Sequence, residues 1–520
     1  MLYPSIVNEG KVIFPESYSK SSGKIMVLEV DVIKLARLAL GNRISKAILK
    51  RLTSKCPHGY RSRLEHILEL LVSEEGGKKA FSLSCIFDYY LFKVLLGISI
   101  KLLRVSKDEF QIALKDPAVR RGIGVVFKSL VIYGVTTPQR LYTPFVIVWN
   151  FTNACNLRCK HCYQSASTSL PSELSYEEKL KVLKELDEIE VPLIALSGGE
   201  PAIHPHFIDI IREGARRGIY MAVATNGIPF SRMEFAERAV RAGLRYAEVS
   251  IDSVDPLKHD EFRGVKGAWE LAIQGIRNLV KLGVSVGIAT TLTKLNYKEI
   301  RDMVKLGEEL GVTRVVFFNF IPTGRGKDIA KLDLTPEERE EALKQIYYES
   351  TRSSIEVVAT APQLARVSWQ LSSGIGVTPT HFTVPKSKSL KNLAEFVGGC
   401  GAGRIYAAIQ PDGKVTPCVF MPIVIGDLRK ESFSDVWRSN EVLKKLRDKD
   451  LLKPPCGECP YKYICGGCRA RAYAYFSDYL APDPGCLRAA LVSPALREVY
   501  EGKEEEIAIP SKVSIKLRSC

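Results

Sequence analysis

The chain has 520 residues, 46% of them apolar and 25% charged, with a formal net charge of +16 and 13 cysteines. So much apolar residue in so long a chain is enough to bury the cores of two to four domains. The length, and an opening Met1-Leu2-Tyr3-Pro4-Ser5 with neither a cationic start nor an apolar leader, exclude a small secreted disulfide scaffold and place the expected location in the reducing cytoplasm.

Residues 1–140 hold 23 Lys and Arg against 12 Asp and Glu, so most of the positive excess is local. From Asp31 to Lys55, Val32, Leu35, Ala36, Ala39, Leu40, Ile44, Ala47 and Ile48 recur at helical spacing among Lys34, Arg37, Arg43, Lys46, Lys50 and Arg51. A second apolar stretch, Tyr89 to Arg104, is interrupted by Lys93 and Lys101. Neither reaches the ~18–20 uninterrupted apolar residues of a membrane span. A basic, mainly helical N-terminal domain is expected, and two readings of it stand side by side. One is peripheral contact with the inner membrane face through basic amphipathic helices, and the other is helices packed on each other with solvated lysines. Nucleic acid is not an expected partner, because the aromatic residues sit within apolar runs rather than among arginines.

Phe145-Val146-Ile147-Val148-Trp149 is a continuous apolar run between Pro144 and Asn150, read as a buried strand. Just beyond it come Cys155, Cys159 and Cys162 in CxxxCxxC spacing. Three thiolates on one short loop can hold three irons of a [4Fe–4S] cube and leave the fourth iron open for chemistry. Zinc is the alternative, but it closes with four ligands, and only His161 is near enough to serve as the fourth.

Strands and amphipathic helices then alternate. Leu193–Leu196 leads into Ser197-Gly198-Gly199-Glu200-Pro201, where a glycine pair permits close backbone approach and Glu200 offers a carboxylate for an ammonium group. Met221–Ala224 ends at Thr225-Asn226-Gly227, Ala247–Val249 at Ser250-Ile251-Asp252-Ser253, Val284–Ala289 at Thr290-Thr291, and Arg314–Phe318 at Asn319 to Gly326. Helical periodicity covers Tyr176–Glu190, Glu234–Ala242, Trp269–Leu282 and Tyr297–Leu310. The alternation predicts an α/β fold, a parallel sheet with helices outside, over residues 141–350. Polar residues at the C-terminal ends of such strands mark the chemical face.

Residues 351–395 have weak periodicity, with turn composition at Thr378 to Ser389, and read as a linker or lid loop. Residues 396–490 hold a second cysteine set: Cys400 and Cys418 around Gly413, then Cys456, Cys459, Cys465 and Cys468 as CX2CX5CX2C, then Cys486. Seven thiolates suit two further clusters better than disulfides. Residues 491–520 form a tail, and Cys56, Cys85 and Cys520 read as leftover thiols.

Cys155-Asn156-Leu157-Arg158-Cys159-Lys160-His161-Cys162 together with Gly198-Gly199-Glu200-Pro201 resembles the radical SAM superfamily. The resemblance implies a partial (βα)6 TIM-like barrel. It also implies a cluster on Cys155, Cys159 and Cys162 whose open iron is chelated by S-adenosylmethionine, and formation of a 5′-deoxyadenosyl radical. By the same resemblance, His161 lies beside the adenine. Gly198, Gly199 and Glu200 lie at the methionine end, Asn226 near the bound cofactor, Ser250 and Asp252 near its ribose and carboxylate, and Arg263 near the cofactor or its cluster. The second cysteine set resembles the SPASM extension, which implies a nearer auxiliary [4Fe–4S] cluster on Cys400, Cys418 and Cys468 and a farther one on Cys456, Cys459, Cys465 and Cys486. The Cys465-Gly466-Gly467-Cys468 spacing is a variant associated with members that act on tetrapyrroles.

Across its length the chain is similar to archaeal radical SAM enzymes that remodel membrane ether lipids, the calditol synthase type. The leading expectation for the substrate is therefore an unactivated carbon of such a lipid. A ribosomal-peptide or tetrapyrrole substrate is the alternative, and an iron–sulfur redox or sensor protein is the non-enzyme one. A ferredoxin or flavodoxin is the expected electron donor.

Overall fold

The structure, a computed structural model, describes residues 42–73, 82–103, 107–372 and 390–493, with a few isolated residues beside them. The expectations for Val32 to Leu35, Thr378 to Ser389, Cys520 and most of the tail lie outside the described residues.

The sheet contains β1 (Val146–Thr152), β2 (Leu193–Gly198), β3 (Tyr220–Thr225), β4 (Leu244–Ser250), β5 (Ser285–Leu292), β6 (Arg314–Asn319), β7 (Glu356–Ala359), β8 (Tyr406–Ile409), β9 (Lys414–Thr416) and β10 (Gly426–Asp427). Its order is β10-β9-β8-β1-β2-β3-β4-β5-β6-β7. Strands β1 to β7 are parallel to their neighbours, as is β8 to β1, and only β9 and β10 turn antiparallel. The six expected barrel strands are β1 to β6.

Two segments extend the arc. Glu356-Val357-Val358-Ala359 forms β7 beside β6, followed by a helix over Gln363–Leu371. The first part of the expected linker is therefore regular structure. Its β-branched run favours a strand, and the turn-like composition that suggested a loop belongs to the residues after it. Tyr406-Ala407-Ala408-Ile409 forms β8 beside β1, so the cysteine-rich region shares the barrel's sheet instead of standing apart from it.

Successive residues on a strand point to opposite faces. On the outer face Ile147, Trp149, Ile194, Leu196, Val286 and Val315 are buried and form one core with Leu183, Leu186, Ile210, Ile276 and Ile346 from the surrounding helices. On the inner face Val148, Ala195, Ala224, Ser250, Ala289, Val316 and Val358, one from each of seven neighbouring strands, line a single cavity of about 740 Å³. Seven strands can converge on one cavity only if the sheet is curled.

The N-terminal helices are Arg43–Thr53, Arg63–Val72, Leu83–Leu103, Lys107–Leu114 and Pro117–Tyr133. Asn42, Ser62 and Asp116 cap three of them by accepting a backbone N–H. Their core is Leu52, Leu64, Ile67, Leu68, Tyr89, Phe92 and Leu114. They attach to the barrel through Asp187, which pairs with Arg61 at 2.6 Å and Arg121 at 2.5 Å, and through Lys128 to Glu190 at 2.5 Å. Among the described residues no helix is long and apolar enough to cross a membrane.

Candidate active site

Near its C-terminal end β1 carries a bulge: Asn150 pairs with Ser197 and Thr152 with Gly198, leaving Phe151 extra. Bulges re-aim a chain beside active sites, and this one opens into the loop that carries Cys155, Cys159 and Cys162. That loop is held from several sides. The Gly199 N–H donates to Thr152 O and the Glu200 N–H to Ala154 O, both at 2.8 Å. Lys160 N–H donates to Phe262 O at 2.9 Å. The Arg325 guanidinium donates to Cys159 O at 3.0 Å and Ala166 O at 2.8 Å, and Glu173 accepts the Asn153 N–H at 2.7 Å.

Gly199 is required by space. A Cβ there would sit 2.1 Å from Ala154 O, and one on Gly198, whose φ is +109°, would sit 2.6 Å from Thr152 O. Gly324, with φ +56°, would place a Cβ 2.4 Å from the carbonyl oxygens of both Cys162 and Tyr163. These glycines let neighbouring strand ends pack directly on the cysteine loop.

Glu200 follows the glycine pair at the end of β2. It is fully buried, does not line the cavity, and accepts hydrogen bonds from Thr225 Oγ1 at 2.8 Å, Asn226 N–H at 2.7 Å and Ala202 N–H at 3.1 Å. Three donors from two turns thus meet its carboxylate and tie the turn after β2 to the turn after β3. Burial pushes its carboxyl up to about 7 despite those donors. Asn226, which does line the cavity, donates to Asn156 Oδ1 at 2.7 Å and ties its turn to the cysteine loop.

Asp252 likewise does not reach the cavity. It accepts from Arg263 Nε at 2.8 Å and Nη2 at 2.7 Å, and from Thr291 N–H at 2.9 Å. This pair aims Arg263 at the first cysteine set, with Nη1 3.9 Å from Cys159 Sγ. Burial works against ionisation of Asp252, yet the Arg263 guanidinium holds its carboxyl below the usual range. Ser250 lines the cavity. His161 also lines it, stacked on Phe262 with centroids 4.4 Å apart. Burial lowers His161 to about 4, so its imidazole is neutral at pH 7.

All 12 described cysteines are free thiols. Cys155, Cys159, Cys162, Cys400, Cys418 and Cys468 line the same cavity, whereas Cys456, Cys459, Cys465 and Cys486 lie outside it. The latter four group together: Cys465 is acted on by Cys486 and Cys456, and Cys456 by Cys459. Burial pushes the Cys155, Cys418 and Cys486 thiols up to about 12. They become thiolates only when a metal replaces the proton.

The surroundings of the second cysteine set fit anionic clusters. Arg404 and Lys449 are 1% and 2% exposed, and neither has a carboxylate partner among the described residues. Both feel the charge of Cys400, and Lys449 that of Cys465 too. Burial lowers Arg404 to about 10 and Lys449 to about 8. A buried cation without a counter-ion is costly, and a thiolate-bound cluster supplies the missing negative charge. Backbone N–H groups also point at sulfur: Gly467 to Cys465 at 3.4 Å, Asp483 to Cys456 at 3.5 Å and Arg471 to Cys468 at 3.5 Å. Gly466 and Gly467 both take positive φ, +65° and +61°, which coils the two-residue spacer between Cys465 and Cys468.

Several of these residues were not singled out in the sequence. Arg325 stands in the quoted strand-end segment Asn319 to Gly326, so its position was visible but its role was not. Glu173, Arg404 and Lys449 belong to no motif, and what they face depends on how the chain folds around the two cysteine sets.

The sequence matches the radical SAM superfamily over residues 149–307 and the SPASM iron–sulfur cluster-binding domain over residues 400–460. It is 36% identical over 349 residues to the AdoMet-dependent heme synthase of Methanosarcina barkeri, an alignment covering 66% of this chain and 96% of that protein. It is 29% identical over 371 residues to the pre-heme d1 synthase of Dinoroseobacter shibae, covering 68% and 89%. Among solved structures, Streptococcus suis SuiB bound to S-adenosylmethionine has a TM-score of 0.56 at 16% identity, over 82% of this chain and 93% of that one. That likeness concerns the fold. With cysteines at the mouth of a curled parallel sheet and a relative matched along almost its whole length, the chain belongs to the radical SAM superfamily, as an S-adenosylmethionine-dependent iron–sulfur enzyme with a SPASM domain.

Proposed function

We propose that the enzyme modifies a tetrapyrrole of a haem pathway at an unactivated carbon. The observation that carries this reading is the 36% identity to a heme synthase over 96% of that protein, and the Cys465–Cys468 spacing agrees with it. The relatives reported above are named for haem compounds, so the leading substrate passes from an ether lipid to the tetrapyrrole alternative. The cavity, about 740 Å³ and lined mainly by apolar side chains, falls within the ~300–1,000 Å³ of pockets that hold cofactor-sized ligands.

In this reading Cys155, Cys159 and Cys162 hold the cluster that splits S-adenosylmethionine and so supplies a radical able to take hydrogen from carbon. Arg263, steered by Asp252, balances charge beside Cys159. His161, Asn226 and Ser250 line the cofactor's side of the cavity, and Gly198, Gly199 and Glu200 fix the loop that carries the cysteines. Cys400, Cys418 and Cys468, which line the same cavity, face the substrate, with Cys456, Cys459, Cys465 and Cys486 holding the cluster outside it. A small ferredoxin or flavodoxin supplies the electrons.

The test is deletion of the gene with haem, peptide and lipid profiles compared, alongside anaerobic assay of substrate-dependent 5′-deoxyadenosine formation with iron porphyrins bearing propionates. Loss of a haem product with unchanged lipids is expected. Normal haem with altered ether lipids would return the substrate to the lipid reading.

The N-terminal helices favour a second element, contact with an anionic membrane surface. Leu83, Phe87, Tyr90 and Val94 are 85%, 62%, 56% and 61% exposed and follow one face of the Leu83–Leu103 helix, beside the exposed Lys93. Phe87→Asp with Val94→Asp is expected to abolish flotation with anionic vesicles. Unchanged flotation would exclude this face.

A further inference from the structure

We propose that Tyr406 sets the reduction potential of the nearer auxiliary cluster by donating its phenol hydrogen to the Cys418 sulfur from the cavity wall. The proposal rests on Cys400, Cys418 and Cys468 holding that cluster. Tyr406 opens β8 and pairs with Val146 of β1, which places its ring among the cavity-lining residues beside those three cysteines. Its hydroxyl lies 2.7 Å from Cys418 Sγ.

Other donors to the cluster cysteines among the described residues are weaker. They are backbone amides at 3.4 or 3.5 Å, including Phe420 N–H to Cys418 itself, and the Arg263 guanidinium at 3.9 Å from Cys159. Tyr406 is thus the one short side-chain donor in the set, and removing it leaves the backbone in place. Burial and the neighbouring Cys418 keep the phenol protonated, as a donor must be. Gly401 leaves room beside the ring, since a Cβ there would lie 3.3 Å from Tyr406 Cδ1.

A hydrogen bond to a cluster sulfur stabilises negative charge. The reduced cluster carries one more electron than the oxidised one, so the bond favours the reduced form and raises the potential. With Cys418 bound to a cluster as a thiolate the bond is charge-assisted, unlike one to a neutral thiol.

The experiment compares wild type and Tyr406→Phe as anaerobically reconstituted holoenzyme, in a redox titration followed by electron paramagnetic resonance, with iron counted per chain. At the wild-type midpoint of the nearer auxiliary cluster, the variant is expected to show a reduced-to-oxidised ratio about tenfold lower, which is 59 mV for a one-electron couple. A deuterium-exchangeable proton coupling on that reduced cluster should vanish with the hydroxyl. The change in the first cluster's signal on adding S-adenosylmethionine should be unaltered. An unchanged midpoint with full iron content would overturn the proposal. So would loss of that cluster's iron in Tyr406→Phe, which would make the residue a ligand or a structural support instead. Wild-type protein with no iron beyond the first cluster would fail differently, overturning the auxiliary-cluster reading and this inference with it.

Discussion

Gly199→Ala is the sharpest test of how the site is built. The added methyl carbon would lie 2.1 Å from Ala154 O and 2.7 Å from Ala154 C, where ordinary contact begins near 3.4 Å. The obstacle is backbone that is already bonded on both sides, by Gly199 N–H to Thr152 O and Glu200 N–H to Ala154 O at 2.8 Å. Relief therefore requires the start of the cysteine loop to retreat by about 1.3 Å from its place against the turn. Overpacking of this kind costs about 1–3 kcal/mol, which a protein of this size survives folded. Catalysis is more sensitive: a misplacement of roughly 1 Å costs about 100-fold. The assay is anaerobic reductive cleavage of S-adenosylmethionine, read as 5′-deoxyadenosine by chromatography, with iron content and melting temperature measured on the same preparation. Gly124→Ala, where an added Cβ meets nothing within 4 Å, is the control and should behave as wild type. Wild-type cleavage by Gly199→Ala with full iron content would refute the claim that this glycine exists to let two backbones touch.

Cys159→Ala should abolish cleavage, whereas Cys486→Ala should keep cleavage and lose product, and full cleavage by the first would overturn the first-cluster assignment. Arg263→Ala leaves Asp252, 2% exposed, without its ion-pair partner. Breaking a buried pair costs about 3–5 kcal/mol, so a melting temperature lower by roughly 3–5 °C is expected for a chain of this length, and an unchanged one would show that the pair does not hold this wall. Glu200 has its carboxyl raised from 4.5 to about 7 by burial, so between these values the folded state holds a proton that the unfolded state releases. Stability from this group is therefore full below about pH 4.5 and declines as pH rises to about 7, by at most about 3 kcal/mol. Glu200→Gln should flatten that decline in melts from pH 5 to 8, and identical pH slopes for the two proteins would sink the assignment.

The chemistry-bearing cysteines were legible because their meaning is local. CxxxCxxC fixes three thiolates on one loop whatever the rest of the chain does, and the spacings from Cys400 to Cys486 have the same self-contained character. Strand and helix alternation was equally readable, since a parallel sheet buried on both faces leaves apolar runs that composition alone reveals. Only tertiary structure decided the rest. Arg263 meets Cys159 across 104 residues, and Arg471, inside the auxiliary region, meets Asp333 across 138. No period or spacing encodes such pairs. The same holds for Glu200, which the sequence marks as a ligand for an ammonium group and whose donors Thr225 and Asn226 come from the turn after β3. It holds for Tyr406, which sits in an apolar run like any strand residue, and whose hydroxyl meets Cys418 because the chain turns back from β8 onto β9. A sequence specifies which groups can bind metal or hydrogen, but the fold decides which of them are already taken by another part of the chain.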